Sequence, residues 1–219
     1  MIKTAVRSLA CLPRFWVHLW AQRLDVMFVL ETSPGTEDQI GLIRPRDLKE
    51  GDRAGIIGYS RSVYLIQSLT EDHEALAKAL QRAGMRIKIG VYSGQSPAGG
   101  RRSPGVQAVQ GDTVDLSGAL RQALRELGDR GSEVRKPVVI VLAGNEDPTL
   151  GDNLDSLKAL LAAGRTRLFA VAITVVSGRG YSFPVMTAQF LDQLARESRG
   201  RVFRGAWDLK SILAAARKP

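Results

Sequence analysis

Cysteine and histidine are scarce: Cys11 is the only thiol in 219 residues, and His18 and His73 are the only imidazoles. One thiol closes no disulfide framework, and these three side chains cannot build a Cys/His zinc cage. Phosphate-cradling loops are missing as well. The chain has no Gly-x-x-x-x-Gly-Lys-Ser/Thr, and no Gly-x-Gly-x-x-Gly follows its first strand, so nucleotide binding has no motif behind it. No apolar run reaches the roughly twenty residues of a membrane span. The first 23 residues lack acids and carry Lys3, Arg7, Arg14 and Arg23. Their apolar stretches are interrupted by Arg7, Pro13 and Arg14 before a signal-peptide core forms. The sequence as it stands therefore predicts a cytoplasmic location; an apolar leader in frame upstream of Met1 would make it secreted or periplasmic.

Catalytic constellations are equally thin. Gly58-Tyr59-Ser60-Arg61-Ser62 follows a strand but lacks the closing glycine of a nucleophile elbow and runs into another strand instead of a helix. The one histidine after Ser60 is His73, at a helix start. Paired acids such as Glu37-Asp38 and Glu146-Asp147 read as turn residues, and nothing sets two carboxylates across a cleft as general acid and base. No enzyme and no small-molecule substrate is predicted.

What the chain does have is enough apolar content, 44% with 24% charged residues, to bury a core as one soluble domain. Thirty-one basic against twenty-two acidic residues give a net charge of +9. That field favours anionic partners, although the basic residues form no long block and also read as a solvated surface.

Leu24 to Gly35 organises the rest. Its apolar run from Val26 to Leu30 ends in Glu31, two hydroxyls and Pro34-Gly35, the pattern of a buried strand discharging into a polar loop. Ala54 to Tyr59 and Ser62 to Leu69 follow as strands, joined closely enough to be an antiparallel hairpin. Thr70 is expected to cap a helix that starts near Glu71 and ends at Gly84, and Arg86 to Tyr92 reads as a short strand. Helices are expected at Asp115 to Leu127, Leu154 to Ala163, Thr187 to Arg196 and Trp207 to Ala216. Strands are expected at Val138 to Leu142, Leu168 to Val175 and Val202-Phe203. Thr36 to Glu50 contains Gly41 and Pro45, so any helix there is short.

This alternation predicts an α/β, three-layer, doubly wound fold with a mainly parallel six-stranded sheet and one antiparallel edge strand. Val26 to Leu30 and Val138 to Leu142 should be adjacent, parallel and central. Two regions are distinguished: residues 1–23, a basic aromatic and helical segment with Trp16 and Trp20 shielded by protein, and residues 24–219, the domain proper, with a flexible basic loop at about 93–111. Ligands of such sheets gather at the carboxyl ends of the strands. By topology, Glu31, Asp112 to Asp115 and Gly144 to Asp147 converge there.

The order of elements resembles a von Willebrand factor A domain, and more narrowly the related domains described from acidobacteria, from Leu24 to the C-terminus. Leu48-Lys49-Glu50-Gly51-Asp52-Arg53-Ala54 resembles the family's entry into its second strand. Leu191-Asp192-Gln193-Leu194-Ala195-Arg196-Glu197-Ser198-Arg199-Gly200-Arg201-Val202-Phe203 resembles its last helix-to-strand passage. The resemblance implies a bacterial, Rossmann-like, non-enzymatic adhesion or scaffold module that binds protein. It also implies a metal-ion-dependent adhesion site, built in the family from Asp-x-Ser-x-Ser, a later Thr and an Asp after the fourth strand. Here Glu31 stands at the Asp position and Ser33 at the first Ser; Gly35 replaces the second Ser, Thr113 or Val114 occupies the Thr position, and Gly144 falls where the last acid belongs. Glu31, Ser33 and Thr113 thus remain as a degenerate metal set, expected to bind Mg²⁺ weakly or not at all, because magnesium demands near-octahedral oxygen ligation.

Two functions follow as expectations. In the first, the rim residues Glu31, Ser33, Asp112, Asp115, Asn145, Glu146 and Asp147 bind an unidentified protein partner with weak or lost metal dependence. In the alternative, Arg14, Arg23, Arg101 and Arg102 bind an anionic surface, lipid or nucleic acid. Neither fixes an oligomeric state.

Overall fold

Strand β1, Leu24–Glu31, is buried along its whole length. An eight-residue strand with no exposed position must be covered on both faces, and its side chains divide accordingly. Val26, Phe28 and Leu30 join one apolar cluster, while Met27 and Val29 join another on the opposite face. The computed structural model describes residues 23–33, 36, 40–93, 114–130, 135–177, 180–182, 184–204 and 207–218.

Strands β2 (Arg53–Tyr59), β3 (Val63–Thr70), β4 (Lys136–Ala143), β5 (Arg167–Ala172) and β8 (Arg201–Arg204) complete a six-stranded sheet in the order β3-β2-β1-β4-β5-β8. β3 is antiparallel to β2, and the other pairings are parallel. Val26 and Val138 are in register, as are Leu30 and Leu142, so the two strands expected at the centre are neighbours there.

Five α-helices among the described residues cover the sheet: α1 (His73–Ser93), α2 (Leu116–Arg130), α3 (Leu154–Ala163), α4 (Val185–Glu197) and α5 (Leu209–Arg217). Leu76, Ala79, Leu80 and Ala83 of α1, with Leu209, Ile212 and Leu213 of α5, pack on one face. α2, α3 and α4 pack on the other through stripes such as Leu116, Leu120, Ala123 and Leu127 at helical spacing.

Three local expectations are corrected. Arg86 to Tyr92 is not a strand: α1 continues to Ser93 through Gly84. A glycine stops a helix when it takes a left-handed φ, and among the described glycines only Gly51 does so, at +80°. Extending an existing helix adds a backbone bond for each residue fixed, and this outweighs the strand preference of Ile87, Ile89 and Val91. The cap of α1 is Asp72, not Thr70; Asp72 Oδ1 accepts the backbone N–H groups of Glu74 and Ala75 at 2.8 and 3.0 Å, and the Thr70 hydroxyl accepts that of Asp72. The strand expected to reach Val175 ends at Ala172, just before a last bond to β4, from Ile173 N–H to the Ala143 carbonyl at 2.9 Å. Among the described residues neither neighbouring strand continues beyond this point, and Val175–Ser177 (β6) pairs with Gly180–Ser182 (β7) as a separate antiparallel hairpin.

Between Thr36 and Glu50, Ile40 is helical, its N–H donating to the Thr36 carbonyl at 3.4 Å, and Pro45–Asp47 forms a 3₁₀ turn. The 1–23 segment apart from Arg23, and the basic loop from residue 94 to 111, lie outside the described residues. No helix among those described is long and apolar enough to cross a membrane.

Candidate functional site

Glu31 ends β1 with a side chain that is 1% exposed. β1 and β4 are adjacent, so this carboxylate meets the loop leaving β4. Its Oε2 accepts the backbone N–H groups of Gly144 and Asn145 at 2.7 and 3.0 Å, and its Oε1 accepts the side-chain amide of Asn145. A buried carboxylate needs such compensation, and here three N–H donors from one loop supply it. Glu31 therefore ties the ends of the two central strands together.

Tyr59, at the end of β2, completes the arrangement by donating from its hydroxyl to the Leu142 carbonyl at 3.0 Å. Burial pushes its phenol well above the ordinary tyrosine value, and the nearby charges of Glu31 and Asp147 add to that. Thr32 bonds to the Tyr59 carbonyl through both its N–H and its hydroxyl, and Tyr64 donates to the Thr32 hydroxyl at 2.6 Å. The Thr36 hydroxyl lies 2.9 and 2.8 Å from the carbonyls of Glu31 and Ser33, closing the loop around buried Ser33.

The remaining rim acids serve helix N-termini, where unpaired N–H groups and the helix dipole favour negative charge. Asp147, 2% exposed, accepts the Ser117 N–H in the first turn of α2 at 2.9 Å; its other oxygen accepts the N–H and hydroxyl of Thr149. Asp115 caps the same helix by accepting the Gly118 N–H at 2.8 Å. Glu146 accepts the N–H groups of Met186 and Thr187 at the start of α4.

The structure thus brings Glu31, Ser33, Asp115, Asn145, Glu146 and Asp147 to one end of the sheet. Thr113 and Asp112 lie outside the described residues, as do Arg14, Arg101 and Arg102. Arg23 lies at the opposite end, where its carbonyl accepts the Lys136 N–H. Tyr59, Thr36, Ser117, Thr149 and Thr187 belong to the rim network but were not legible as such. Each is an ordinary strand, loop or helix residue in sequence, and only the pairing of distant elements gives it a partner.

Val185 and Met186, 54% and 59% exposed, are apolar side chains at this same rim, in the first turn of α4 beside the Glu146 cap.

No protein-family model and no curated protein sequence matches the chain. Solved structures do. The conserved hypothetical protein BatB from Bacteroides thetaiotaomicron is similar over 89% of this chain and 95% of its own, with a TM-score of 0.55 at 15% identity. The pilus adhesin SpaC from Lactobacillus rhamnosus GG matches 90% of this chain with 29% of its own, at a TM-score of 0.51 and 13% identity. Manganese-loaded TRAP from Plasmodium vivax matches 89% of this chain with 72% of its own, at a TM-score of 0.52 and 13% identity. With a von Willebrand factor type A protein from Catenulispora acidiphila also matching at a TM-score of 0.54, the fold is that of a von Willebrand factor A domain.

Proposed function

We propose that this domain is a non-enzymatic protein-interaction module that engages its partner through the loop rim at the carboxyl ends of the strands and does so without a bound divalent ion. One observation carries the metal-independent half: both oxygens of the Glu31 carboxylate accept N–H groups from Gly144 and Asn145. In the family's site that position ligates the ion, and a carboxylate cannot offer the same lone pairs to a hard cation while holding three N–H donors. Gly144 supplies no oxygen side chain where the family places an acid. Among the described residues, the donor set does not fit magnesium or manganese.

The interaction half rests on the fold and on what the rim leaves outside. Its carboxylates are engaged by loop and helix N–H groups, Glu31 and Asp147 from buried positions, and Val185 and Met186 stand exposed beside them. Apolar side chains on rigid helix starts, ringed by polar loops, are the kind of surface that protein partners desolvate. That the fold also serves a pilus adhesin is consistent with this reading.

Calorimetric titration with Mg²⁺ and with Mn²⁺ tests the metal-independent half. No saturable heat in the low-micromolar range is expected. Tight one-to-one binding, abolished both by Glu31→Ala and by the milder Glu31→Gln, overturns it and restores a metal-dependent rim.

A further inference from the structure

The opposite end of the sheet holds a second feature, independent of the rim. An open cavity of about 650 Å³ lies beneath the amino ends of β4 and β5, between the turns that lead from α3 into β5 and from α4 into β8. This is within the size range of small-molecule sites. Six cations line it: Arg135, Lys136, Arg165, Arg167, Arg199 and Lys218. The one acid, Glu197, is bound to Lys158 at 2.9 Å. Pro137, Leu161 and Ala162 supply apolar wall between the charges.

Some of these cations already have work. Arg167 donates to the carbonyls of Arg199, Ala216 and Lys218, and Lys136 Nζ donates to those of Arg217 and Lys218. Arg135 serves Gly51 and Glu71. Arg165 and Arg199 differ: among the described residues, neither guanidinium has a hydrogen-bond or ion-pair partner. Both sit at φ values of +48° and +59°, at the left-handed positions that close α3 and α4. Bonds from Thr166 N–H to Leu161 and from Gly200 N–H to Ala195 mark two Schellman-type endings, where glycine is the usual residue. Two arginines thus occupy positions that favour glycine, at the mouth of one cavity. Partial burial, and after it the neighbouring charge of Arg199, lower the Arg167 pKa from its ordinary value.

We infer that this cavity binds an amphiphilic anion, a phosphate or carboxylate head held by Arg165 and Arg199 with an apolar body against Pro137, Leu161 and Ala162. Planar guanidinium groups suit such heads because they donate in a fixed fork, and apolar wall discriminates in favour of a head that carries a tail. The head group is common to free amphiphiles and to anionic bilayer lipids.

The test uses octyl phosphate, with inorganic phosphate as the tail-less comparison, titrated calorimetrically into the full chain. Saturable binding of octyl phosphate at least tenfold tighter than inorganic phosphate is expected. The variant Arg165→Gly/Arg199→Gly removes both charges while relieving both left-handed positions, so it should fold at least as stably as the parent yet lose at least tenfold in affinity. Lys78→Gln/Arg82→Gln on α1 removes two charges elsewhere and should change affinity less than twofold. Co-sedimentation with phosphatidylglycerol vesicles, absent with phosphatidylcholine and lost in the glycine variant, assigns the head to a membrane lipid. Octyl phosphate binding without co-sedimentation assigns it to a free amphiphile. No saturable binding of octyl phosphate, equal loss in the α1 control, or full affinity in the glycine variant overturns the inference.

Discussion

At the carboxyl ends of the strands, carboxylates fold back onto backbone N–H groups; at the amino ends, guanidinium and ammonium groups close over backbone carbonyls. Glu31, Asp115, Glu146 and Asp147 make up the first set, and Arg167, Lys136 and Arg217 the second. The difference follows from topology. The helix before a parallel strand runs antiparallel to it and ends at its amino edge, so α2 and α4, which lead into β4 and β8, present their N-termini at the rim, whereas α4 and α5 bring their carbonyl ends to the other edge. Helix dipoles then favour acids at one end and bases at the other. α1 follows the antiparallel strand and runs the opposite way, which is why its cap, Asp72, stands among the cations of the amino edge beside Glu71 and Arg135.

The ends also differ in how their charges are paired. The amino edge contains buried ion pairs. Asp52, 1% exposed, binds Arg217 and accepts the backbone N–H groups of Leu24 and Lys49 at 2.9 Å each. Asp25, equally buried, is held by Arg53 at 2.7 Å. The rim carboxylates instead meet N–H dipoles and hydroxyls. Removing one partner of a buried ion pair leaves an uncompensated charge, whereas removing a carboxylate from dipoles leaves only unsatisfied donors.

The largest expected effect is therefore at the amino edge. Asp52→Ala should lower stability by about 3–5 kcal/mol, since it strands Arg217 and two backbone donors. Urea unfolding of parent and variant measures it, and a loss below that of any rim variant breaks the contrast. Glu31→Ala at the rim should cost about 2–4 kcal/mol, with Glu31→Gln milder, because a neutral amide oxygen still accepts one of the three donors. If Glu31→Ala left the unfolding midpoint unchanged, the β1–β4 tie would not be structural.

The smallest effect, about 1 kcal/mol near neutral pH, is expected for Tyr59→Phe, which loses one hydrogen bond to Leu142. Its value lies in the pH dependence. The folded-state phenol is raised above the unfolded value of about 10, so the folded state keeps a proton that the unfolded state loses, and stability falls as pH rises above 10. Thermal melts between pH 8 and pH 11 should show a shallower alkaline decline in Tyr59→Phe than in the parent. An identical slope would mean that Tyr59 titrates normally and is not buried against Glu31 and Asp147.

The sequence by itself determined the alternation of elements, the two central strands and the antiparallel edge. Val26 to Leu30 and Val138 to Leu142 are apolar at every position, and a strand without a polar face has to lie in the middle of a three-layer fold. It also determined which loops gather at the rim, because topology alone puts the ends of β1 and β4 side by side. Where local signals conflicted, as at Gly84 and Val175, the outcome depended on what the segment could bond to: a helix already under way in one case, a neighbouring strand that had ended in the other. What only the tertiary structure decided was the use of the polar residues. Glu31 reads in sequence as the acid at the end of the central strand and as a metal ligand, yet its oxygens face Gly144 and Asn145, more than a hundred residues away. Nothing in the sequence links Arg165 with Arg199, and only the packing of two helix-to-strand turns puts them on one cavity. A carboxylate or guanidinium carries the same chemistry in any context, so its role is set by the partners that long-range packing brings within hydrogen-bond distance.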